Sequence, residues 1–515
     1  LTDNDPLTVW PDSSGNAHNA SPTNSGFSPN FNTDVINGFP AVRFDGNDDH
    51  LDNAHSYDAQ TVFAVFNTKA AYQEDTDLGQ LWGNYDDDVH LAVDARSNDD
   101  EQGFSFDGNG STRGRYGLNG DDYGTYYTDD NTTQWNYDAF EIVSAEFENQ
   151  MTLTQQVLGS LHPAFPEDEH NFGGDLAEVI VYNKPLNSTQ KIIVENYLAT
   201  KYGLSLTQND YFAYDGSHKH GLAGIGRESA TSYHTAAQSS DILTVSNASS
   251  LDSLDYLLFA HDNGAIDAWN TNELPGDSVF YRRINREWRF DETNDIGSYT
   301  IKVDTSLFSA RPSGFSELKL LVDADGDFTS GATSYDMQQI GSSSEFEATD
   351  MDIPDGYHLA IVAVRPVAQF QNATLEGSEE DTIVNVTVKL NVTIGQQVSY
   401  DITDAGTGSA TDGGDDYISV PATRDTIMAG DTTATFELEI IDDSEQEGDE
   451  TIVLVLSNLS GANIGDKDTL TYTIHDNDWS NEIEFFTNDT TIQEDIDSIG
   501  IITQLSAQNP TDTTR

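Results

Sequence analysis

Short runs in which apolar and polar residues alternate recur along almost the whole 515-residue chain, separated by clusters of Asp, Asn, Gly and Ser. Clear examples are Thr61–Phe66, Tyr299–Val303 and Ala434–Ile440. Side chains of a β-strand point alternately to its two faces, so a strand with one buried face has this period of two. The pattern predicts an all-β protein of antiparallel sandwiches or barrels, and the length predicts several such modules in tandem.

One segment has the signals of an α-helix instead. Asn187 can cap its first turn, Gln190 is placed to complete a capping box, and Gly203 stands where a left-handed residue ends a helix. The residues that fall on one face at helical spacing are Ile193, Tyr197 and Thr200. We therefore expect a single helix that closes the first domain.

The charge balance is strongly negative, with 22 Lys and Arg against 89 Asp and Glu and a formal net charge of −67. A surface of this sign repels nucleic acid and anionic membranes, so neither is an expected partner. Such a chain needs high salt to screen its self-repulsion or bound cations to neutralise it. Cysteine is absent and no apolar run is long enough to span a bilayer. We therefore expect neither disulfides nor insertion of these residues into a membrane.

The order of these patterns divides the chain into four segments. The predicted ranges are 1–204, 205–365 and 366–478 for three β-sandwich modules, and 479–515 for the beginning of a fourth. Leu1 and Arg515 both fall inside a predicted domain. We therefore expect the sequence to be a piece of a longer, secreted protein.

The first segment resembles the laminin-G/concanavalin-A-like jelly rolls of bacterial surface proteins. The residues that carry the resemblance are Trp10–Asn16, Pro40–Gly46 and Gly174–Tyr182. Such domains often bind glycans or proteins, and many have only a structural role. Asp45, Asn47 and Asp48 are read mainly as a polar β-turn, with a cation or sugar contact as the alternative.

The second segment resembles the β-sandwich that often follows such a jelly roll in surface proteins of gliding bacteria. The matching residues are Gly224–Arg227, Leu257–Gly264 and Arg283–Arg289. Gly224 and Gly226 lack the third glycine and the lysine of a phosphate-binding loop, which favours a β-turn. His218 and His220 would share one side of a strand, but no third metal ligand is evident.

Alternate carboxylates form a candidate metal site in this segment. Asp323, Asp325 and Asp327 stand in a glycine-containing loop, an arrangement that can present hard oxygen ligands to one point at the roughly 2.3–2.6 Å that calcium requires. The distant glutamate and the helix of an EF-hand are missing. Calcium binding and a solvated turn therefore remain equal alternatives.

The third segment resembles a Calx-β domain, a calcium-binding sandwich with an immunoglobulin-like fold. The matching residues are Glu376-Gly377, Asp416-Tyr417, Ile440–Glu450 and Ile474–Asp478. The resemblance implies a Ca²⁺ site whose ligands are Glu376, Asp442, Asp443, Glu447, Glu450, Asp476 and Asp478. Two like charges 4 Å apart repel by about 4 kcal/mol at an effective dielectric constant of about 20, so converging carboxylates need a cation.

The fourth segment repeats the opening of the third. Ile483–Phe486 and Thr491–Asp495 parallel Val367–Phe370 and Thr374–Gly377. We expect a second Calx-β repeat to begin at residue 479, which makes the protein a tandem array.

These resemblances predict an adhesin at the bacterial cell surface that attaches through a surface glycan or protein and is exported by type IX secretion. One alternative is a structural subunit that assembles with further copies of itself into a filament or rigid appendage. Another is a polysaccharide-acting enzyme, for which Glu141, Glu146 and Glu148 are the best local carboxylates. Neither a nucleophile elbow nor a zinc-protease motif is present, so we expect no catalysis.

Overall fold

The computed structural model describes residues 1–70, 78–84, 89–94, 103–108, 114–126, 135–160, 171–275, 281–315, 317–391, 397–418, 420 and 423–478. Within these ranges the secondary structure is almost all β, with one α-helix, and the strands form six sheets. The predicted all-β fold of β-sandwich modules is confirmed. The second Calx-β repeat predicted at 479–515 lies outside the described residues.

The chain forms two compact units, each built from more than one stretch of sequence. The first unit comprises Leu1–Glu273, Arg283–Ser309 and Lys319–Ile361. The second comprises Leu274–Arg282, Ala310–Leu318 and the described residues from Val362 onward. In the part of the chain that the structure describes, no helix has the length and the hydropathy needed to cross a membrane.

The first module of the first unit contains two sheets. Its strands are β1 Asp5–Pro6, β2 Asn30–Ile36, β3 Phe39–Asp45, β4 Leu51–Asn53, β5 Tyr57–Thr68, β6 Leu78–Asn84, β7 Val89–Asp94, β8 Gly103–Gly108, β9 Gly114–Leu118, β10 Asp121–Tyr126, β11 Glu141–Leu153, β12 Gln156–Leu158 and β13 Gly173–Tyr182, with a 3-10 helix at Ser25–Phe27. The larger sheet has the order β1-β2-β3-β13-β5-β11-β9-β10 and the smaller one β4-β12-β6-β7-β8.

Strand β5 is buried on both faces. Val62, Ala64 and Phe66 belong to the core between the two sheets, whereas Phe63 and Val65 belong to a second cluster beneath the helix. The run Thr61–Phe66 therefore departs from the predicted alternation and is apolar at nearly every position, because each face of the strand packs against a different neighbour.

The predicted helix is present as α1 Ser188–Tyr202, with both predicted ends. The backbone N–H of Gln190 donates to Oδ1 of Asn187 at 2.9 Å, the Gln190 side chain accepts the Asn187 N–H, and Gly203 adopts the left-handed conformation at φ 64°. The helix does more than close the first module. Ile193 and Tyr197 pack on the second module, while Leu198, Ala199 and Tyr202 pack on the first.

The second module also contains two sheets. Its strands are β14 His220–Ser229, β15 Ser232–His234, β16 Ala236–Ser239, β17 Leu243–Ser246, β18 Asp255–His261, β19 Tyr281–Thr293, β20 Tyr299–Asp304, β21 Glu317–Asp323, β22 Thr333–Asp336, β23 Gln338–Gln339, β24 Glu345–Met351 and β25 His358–Val364. The sheet orders are β15-β14-β18-β19-β25-β21-β22 and β16-β17-β20-β24-β23.

Gly224 and Gly226 lie inside strand β14, so the β-turn predicted for them is wrong. A Cβ atom at Gly224 would stand 2.2 Å from the Leu258 side chain, and one at Gly226 would stand 2.3 Å from the Tyr256 ring. Both glycines are therefore required by close packing of large residues on the neighbouring strand β18, which a glycine pattern alone does not reveal.

The third module, in the second unit, is a smaller two-sheet sandwich. Its strands are β26 Val367–Phe370, β27 Thr374–Ser378, β28 Ile383–Leu390, β29 Val398–Asp404, β30 Thr423–Ile427, β31 Thr433–Glu439, β32 Glu450–Ser460, β33 Asn463–Ile464 and β34 Thr469–His475. The sheet orders are β31-β28-β26-β33 and β27-β34-β32-β29-β30. A core rich in Val, Ile, Leu and Tyr fills the space between the sheets.

Candidate metal centre

The strand order of the third module brings acidic segments to one of its ends. Strands β27 and β34 are parallel, with Ser378 paired to His475, so the residues that follow them leave the sheet side by side. Strand β32 runs antiparallel to β34 and begins at the same end, with Glu450 paired to Ile474. The loop that precedes β32 and the segments that follow β27 and β34 therefore meet, although they are far apart in sequence.

Three of these carboxylates form a first acidic cluster. Glu379, Asp443 and Asp478 each place an oxygen within 4.8 Å of the others. Glu379 is only 6% exposed, and its Oε2 has no hydrogen-bond partner; Oδ2 of Asp478 is also buried without one. Burial, followed by repulsion from Asp476, Asp443, Asp478 and Glu447, raises the pKa of Glu379 to about 7.

Asp416, Glu447 and Glu450 form a second acidic cluster, again with oxygens within 4.8 Å of one another. Asp416 is buried and accepts a hydrogen bond from the backbone N–H of Thr411. Burial and the neighbouring Asp416 raise the pKa of Glu450 to about 7, and the same two causes raise the pKa of Glu447. Like charges therefore oppose one another in both clusters.

Asp476 connects the segments that carry the two clusters. Its Oδ2 accepts the backbone N–H of Glu447 and its Oδ1 accepts the backbone N–H of Asp478, both at 2.7 Å. Asp442 accepts a hydrogen bond from the Asn477 side chain at 3.2 Å. Asp476 and Asp442 thus lie at the predicted site, where their hydrogen bonds hold the loops in place.

Four of the seven predicted ligands lie in the two clusters, which also contain Glu379 and Asp416. Glu376 is not part of either cluster: its side chain is 80% exposed and lies 3.7 Å from Nε2 of His475. Glu379, three residues later and just after the end of β27 at Ser378, is the buried glutamate of the first cluster. Asp416 lies in the Asp416-Tyr417 motif that carries the resemblance to a Calx-β domain, but it was not among the predicted ligands.

The Asp323, Asp325 and Asp327 loop does not gather its carboxylates. Oδ1 of Asp323 accepts the N–H groups of Asp325 and Gly326, and Oδ1 of Asp325 accepts the N–H of Asp327. These three acids form no metal-ligating group among the described residues. The spacing that suggested calcium ligands instead produces successive turns in which each side chain bonds the backbone ahead of it.

In the first module, Asp45 and Asp48 do come together, joined by Asp49, which the sequence did not single out. Oδ1 of Asp45 accepts the N–H of Asn47, as in the predicted polar turn. Burial and the nearby Asp45 raise the pKa of Asp49 to about 7.

The three glutamates considered for catalysis have different surroundings. Glu141 is buried and accepts hydrogen bonds from the side chain and the backbone of Asn136, and burial raises its pKa. Glu146 forms a 2.5 Å ion pair with Lys191 of the helix, whereas Glu148 is exposed.

Two protein families match parts of this chain. Residues 363–478 match the Calx-beta domain, and residues 190–357 match a domain of unknown function, DUF8202. The first match contains both acidic clusters of the third module, and the second begins within helix α1. No curated protein matches the chain.

Solved structures of Calx domains are similar to part of the chain. The apo-form Calx CBD1 domain is 24% identical, with 22% of this chain and 98% of that chain covered and a TM-score of 0.19. CBD12 from CALX1.2 is 24% identical, with 24% of this chain and 48% of that chain covered and a TM-score of 0.20. The calcium binding domain CBD12 of CALX1.1 is 25% identical, with 22% of this chain and 45% of that chain covered and a TM-score of 0.19. The chain spans about half the length of the two CBD12 structures.

Proposed function

We propose that this chain is part of an extracellular adhesin of the bacterial surface whose Calx-beta domain is stabilised by Ca²⁺ bound at the two acidic clusters. The observation that carries the calcium proposal is that Oε2 of Glu379 is buried without a hydrogen-bond partner, in a residue whose carboxylate lies within 4.8 Å of those of Asp443 and Asp478. A buried carboxylate oxygen without a partner is costly unless a cation or a proton satisfies it.

The donor set fits calcium. Each cluster offers three carboxylates, and Ca²⁺ prefers six to eight oxygen ligands in a flexible arrangement. Backbone carbonyls and water complete such a shell. No imidazole belongs to either cluster, so the donors match a hard cation better than a late transition metal.

Electrostatics supports the same assignment. Two carboxylates about 4 Å apart repel by about 4 kcal/mol at an effective dielectric constant of about 20. Protonation relieves this repulsion at low pH, which agrees with the pKa of about 7 for both Glu379 and Glu450. At neutral and higher pH a divalent cation relieves it more completely, because it interacts with all three carboxylates of a cluster.

Calorimetric melting of the full chain in calcium and in chelator tests this function. At a calcium concentration one hundred times the dissociation constant, one bound ion stabilises the folded domain by about 2.7 kcal/mol. For a domain of this size that corresponds to a rise in Tm of roughly 10 °C. Identical melting profiles in calcium and chelator would remove the calcium proposal.

The adhesive role rests on a cleft within the first unit, bordered by the first and second modules. Its volume is about 1140 Å³, and its wall includes Trp10, His18 and Tyr57. The rings of His18 and Tyr57 are stacked at 5.2 Å, and all three side chains are partly exposed. Aromatic surfaces next to polar groups are suited to a ligand with apolar faces and many hydroxyls, such as a glycan.

Binding of the full chain to an array of immobilised glycans tests the adhesive role. Trp10→Ala should reduce binding to any glycan that wild type captures, while Trp269→Ala, which lies outside the cleft wall, should not. Equal binding by both variants would place the ligand elsewhere. We further propose that captured glycans are released unchanged, since no catalytic motif was found in the sequence; shortened glycan products would contradict this.

A further inference from the structure

The two histidines of the His218-Lys-His220 sequence have different surroundings, although they were predicted to share one side of a strand. His220 begins strand β14 and lies against the rings of Phe39 and His261 at 5.4 and 5.9 Å. His218 precedes the strand and lies in a turn, where its backbone N–H donates to the Tyr214 carbonyl. Only 4% of the His218 residue surface is exposed. Because the turn has no strand alternation, the two side chains separate.

His218 instead meets two residues that are distant in sequence. His218, Glu287 of strand β19 and His358 at the start of strand β25 each place a ligand atom within 4.8 Å of the others. The rings of His218 and His358 contact edge to face at 5.1 Å, and Nδ1 of His358 lies 3.6 Å from Oε2 of Glu287. All three residues belong to the first compact unit.

Two imidazole nitrogens in this group are buried without a hydrogen-bond partner: Nε2 of His218 and Nδ1 of His358, the latter on a residue only 8% exposed. Nδ1 of His218 lies 2.9 Å from Oγ of Ser217, so a proton on Nδ1 leaves Nε2 unprotonated, with its lone pair unused. A buried nitrogen without a hydrogen-bond partner destabilises the folded state. Two of them beside one carboxylate therefore call for a shared partner.

We propose that His218, Glu287 and His358 form a buried site for a divalent transition-metal ion of the zinc class. Two imidazoles and one carboxylate, with water as the fourth ligand, are a donor set that zinc accepts. Tetrahedral ligands about 2.0–2.1 Å from zinc lie about 3.4 Å from one another, close to the 3.6 Å that separates His358 from Glu287.

The second partners of these side chains agree with a metal site. Zinc-bound histidines commonly donate their other ring N–H to a neighbouring group, as His218 is placed to do toward Ser217. Oε1 of Glu287 accepts from Arg283, which orients the carboxylate and leaves Oε2 for the ion.

Hydrogen bonds among these three side chains, without a metal, would not satisfy all of the buried atoms. One proton between His358 and Glu287 would satisfy that pair after a small movement, but Nε2 of His218 would remain alone. A cation satisfies all three atoms and joins three segments of a chain that contains no cysteine. The other charges near His218 are Asp262 and Arg289, which have opposite signs. The donor nitrogens also separate this site from the all-carboxylate clusters of the third module.

Zinc titration of the metal-stripped full chain, in a large excess of Ca²⁺ to occupy carboxylate sites, tests the proposal. We expect one zinc per chain in this condition. His218→Gln and His358→Gln should each weaken binding by at least about tenfold. His261→Gln is the matched control, because His261 is 2% exposed and both its ring nitrogens have partners, Oγ of Ser240 and the N–H of Asn263.

X-ray absorption of the zinc-loaded wild-type chain provides a reading that needs no variant. Two imidazole ligands in the first shell, with the remaining ligands oxygen at about 2.0–2.1 Å, would support the site. Four oxygen ligands would overturn it, as would the failure of wild type to take up zinc in excess calcium. Unchanged affinity in His218→Gln and His358→Gln would also overturn it, because the ion would then be bound elsewhere.

Discussion

Replacing Glu379 by Gln removes one charge from the first acidic cluster while keeping the size of the side chain. Without metal, burial and then the neighbouring acids raise the pKa of Glu379 from 4.5 to about 7. Because the folded pKa lies above the unfolded one, the stability linked to this group is fully present below about pH 4.5 and is lost as pH rises through 7. The difference between the two pKa values corresponds to at most about 3 kcal/mol.

Gln cannot ionise, so the variant avoids this loss. At pH 8 in chelator, we expect Glu379→Gln to be more stable than wild type by up to about 3 kcal/mol. In saturating calcium the order should reverse or the gain should vanish, because the variant has lost a ligand. At pH 4 in chelator, where the wild-type carboxyl is also neutral, the two proteins should unfold alike.

Scanning calorimetry of the full chain provides the measurement, and Glu380→Gln provides the control. Glu380 is adjacent and exposed, and it belongs to neither cluster. Its replacement should leave both the chelator and the calcium profiles within about 0.5 kcal/mol of wild type. If Glu379→Gln is destabilised at pH 8 in chelator, the carboxylate is held by favourable contacts and the argument from repulsion is wrong.

Further expectations concern other residues. Glu376→Gln should leave calcium affinity unchanged in calorimetric titration, since this exposed side chain lies outside both clusters; a loss comparable to that of Asp443→Asn would restore the ligand set inferred from resemblance. Asp416→Asn should weaken calcium binding, and no change would exclude the second cluster. Asn187→Ala should cost about 1 kcal/mol of stability, because it removes the capping box of helix α1; calorimetry that detects no loss would contradict this.

Much of the fold follows from local signals in the sequence. Period-two runs predict the sandwiches, and Asn187, Gln190 and Gly203 predict both ends of the helix, because the interactions involved lie within a few residues. The packing of the helix on two modules could not be predicted in this way. The predicted face, around Ile193 and Tyr197, contacts strands β14 and β18 of the second module. The helical spacing did not identify the other face, where Leu198, Ala199 and Tyr202 pack on the first module.

The position of the acidic clusters in the third module could be predicted from the sequence, but not every residue in them. Asp443, Glu447, Glu450 and Asp478 lie in the clusters because a long acidic loop and a strand end must meet at one end of such a sandwich. The choice between Glu376 and Glu379 depends on where β27 stops pairing with β34, which the sequence does not mark. The group of His218, Glu287 and His358 was missed because its members are separated by about seventy residues each.

Calcium affinity should depend on pH near neutrality because calcium competes with protons at both clusters. With a folded pKa of about 7 for Glu379 and for Glu450, most copies of each carboxyl are ionised at pH 8 and protonated at pH 6. An ion that requires one of them ionised should bind about tenfold more weakly at pH 6 than at pH 8. Titration calorimetry at both pH values, in buffers with different ionisation enthalpies, also counts the protons released. Equal affinity at the two pH values, with no proton release, would mean that neither glutamate binds calcium.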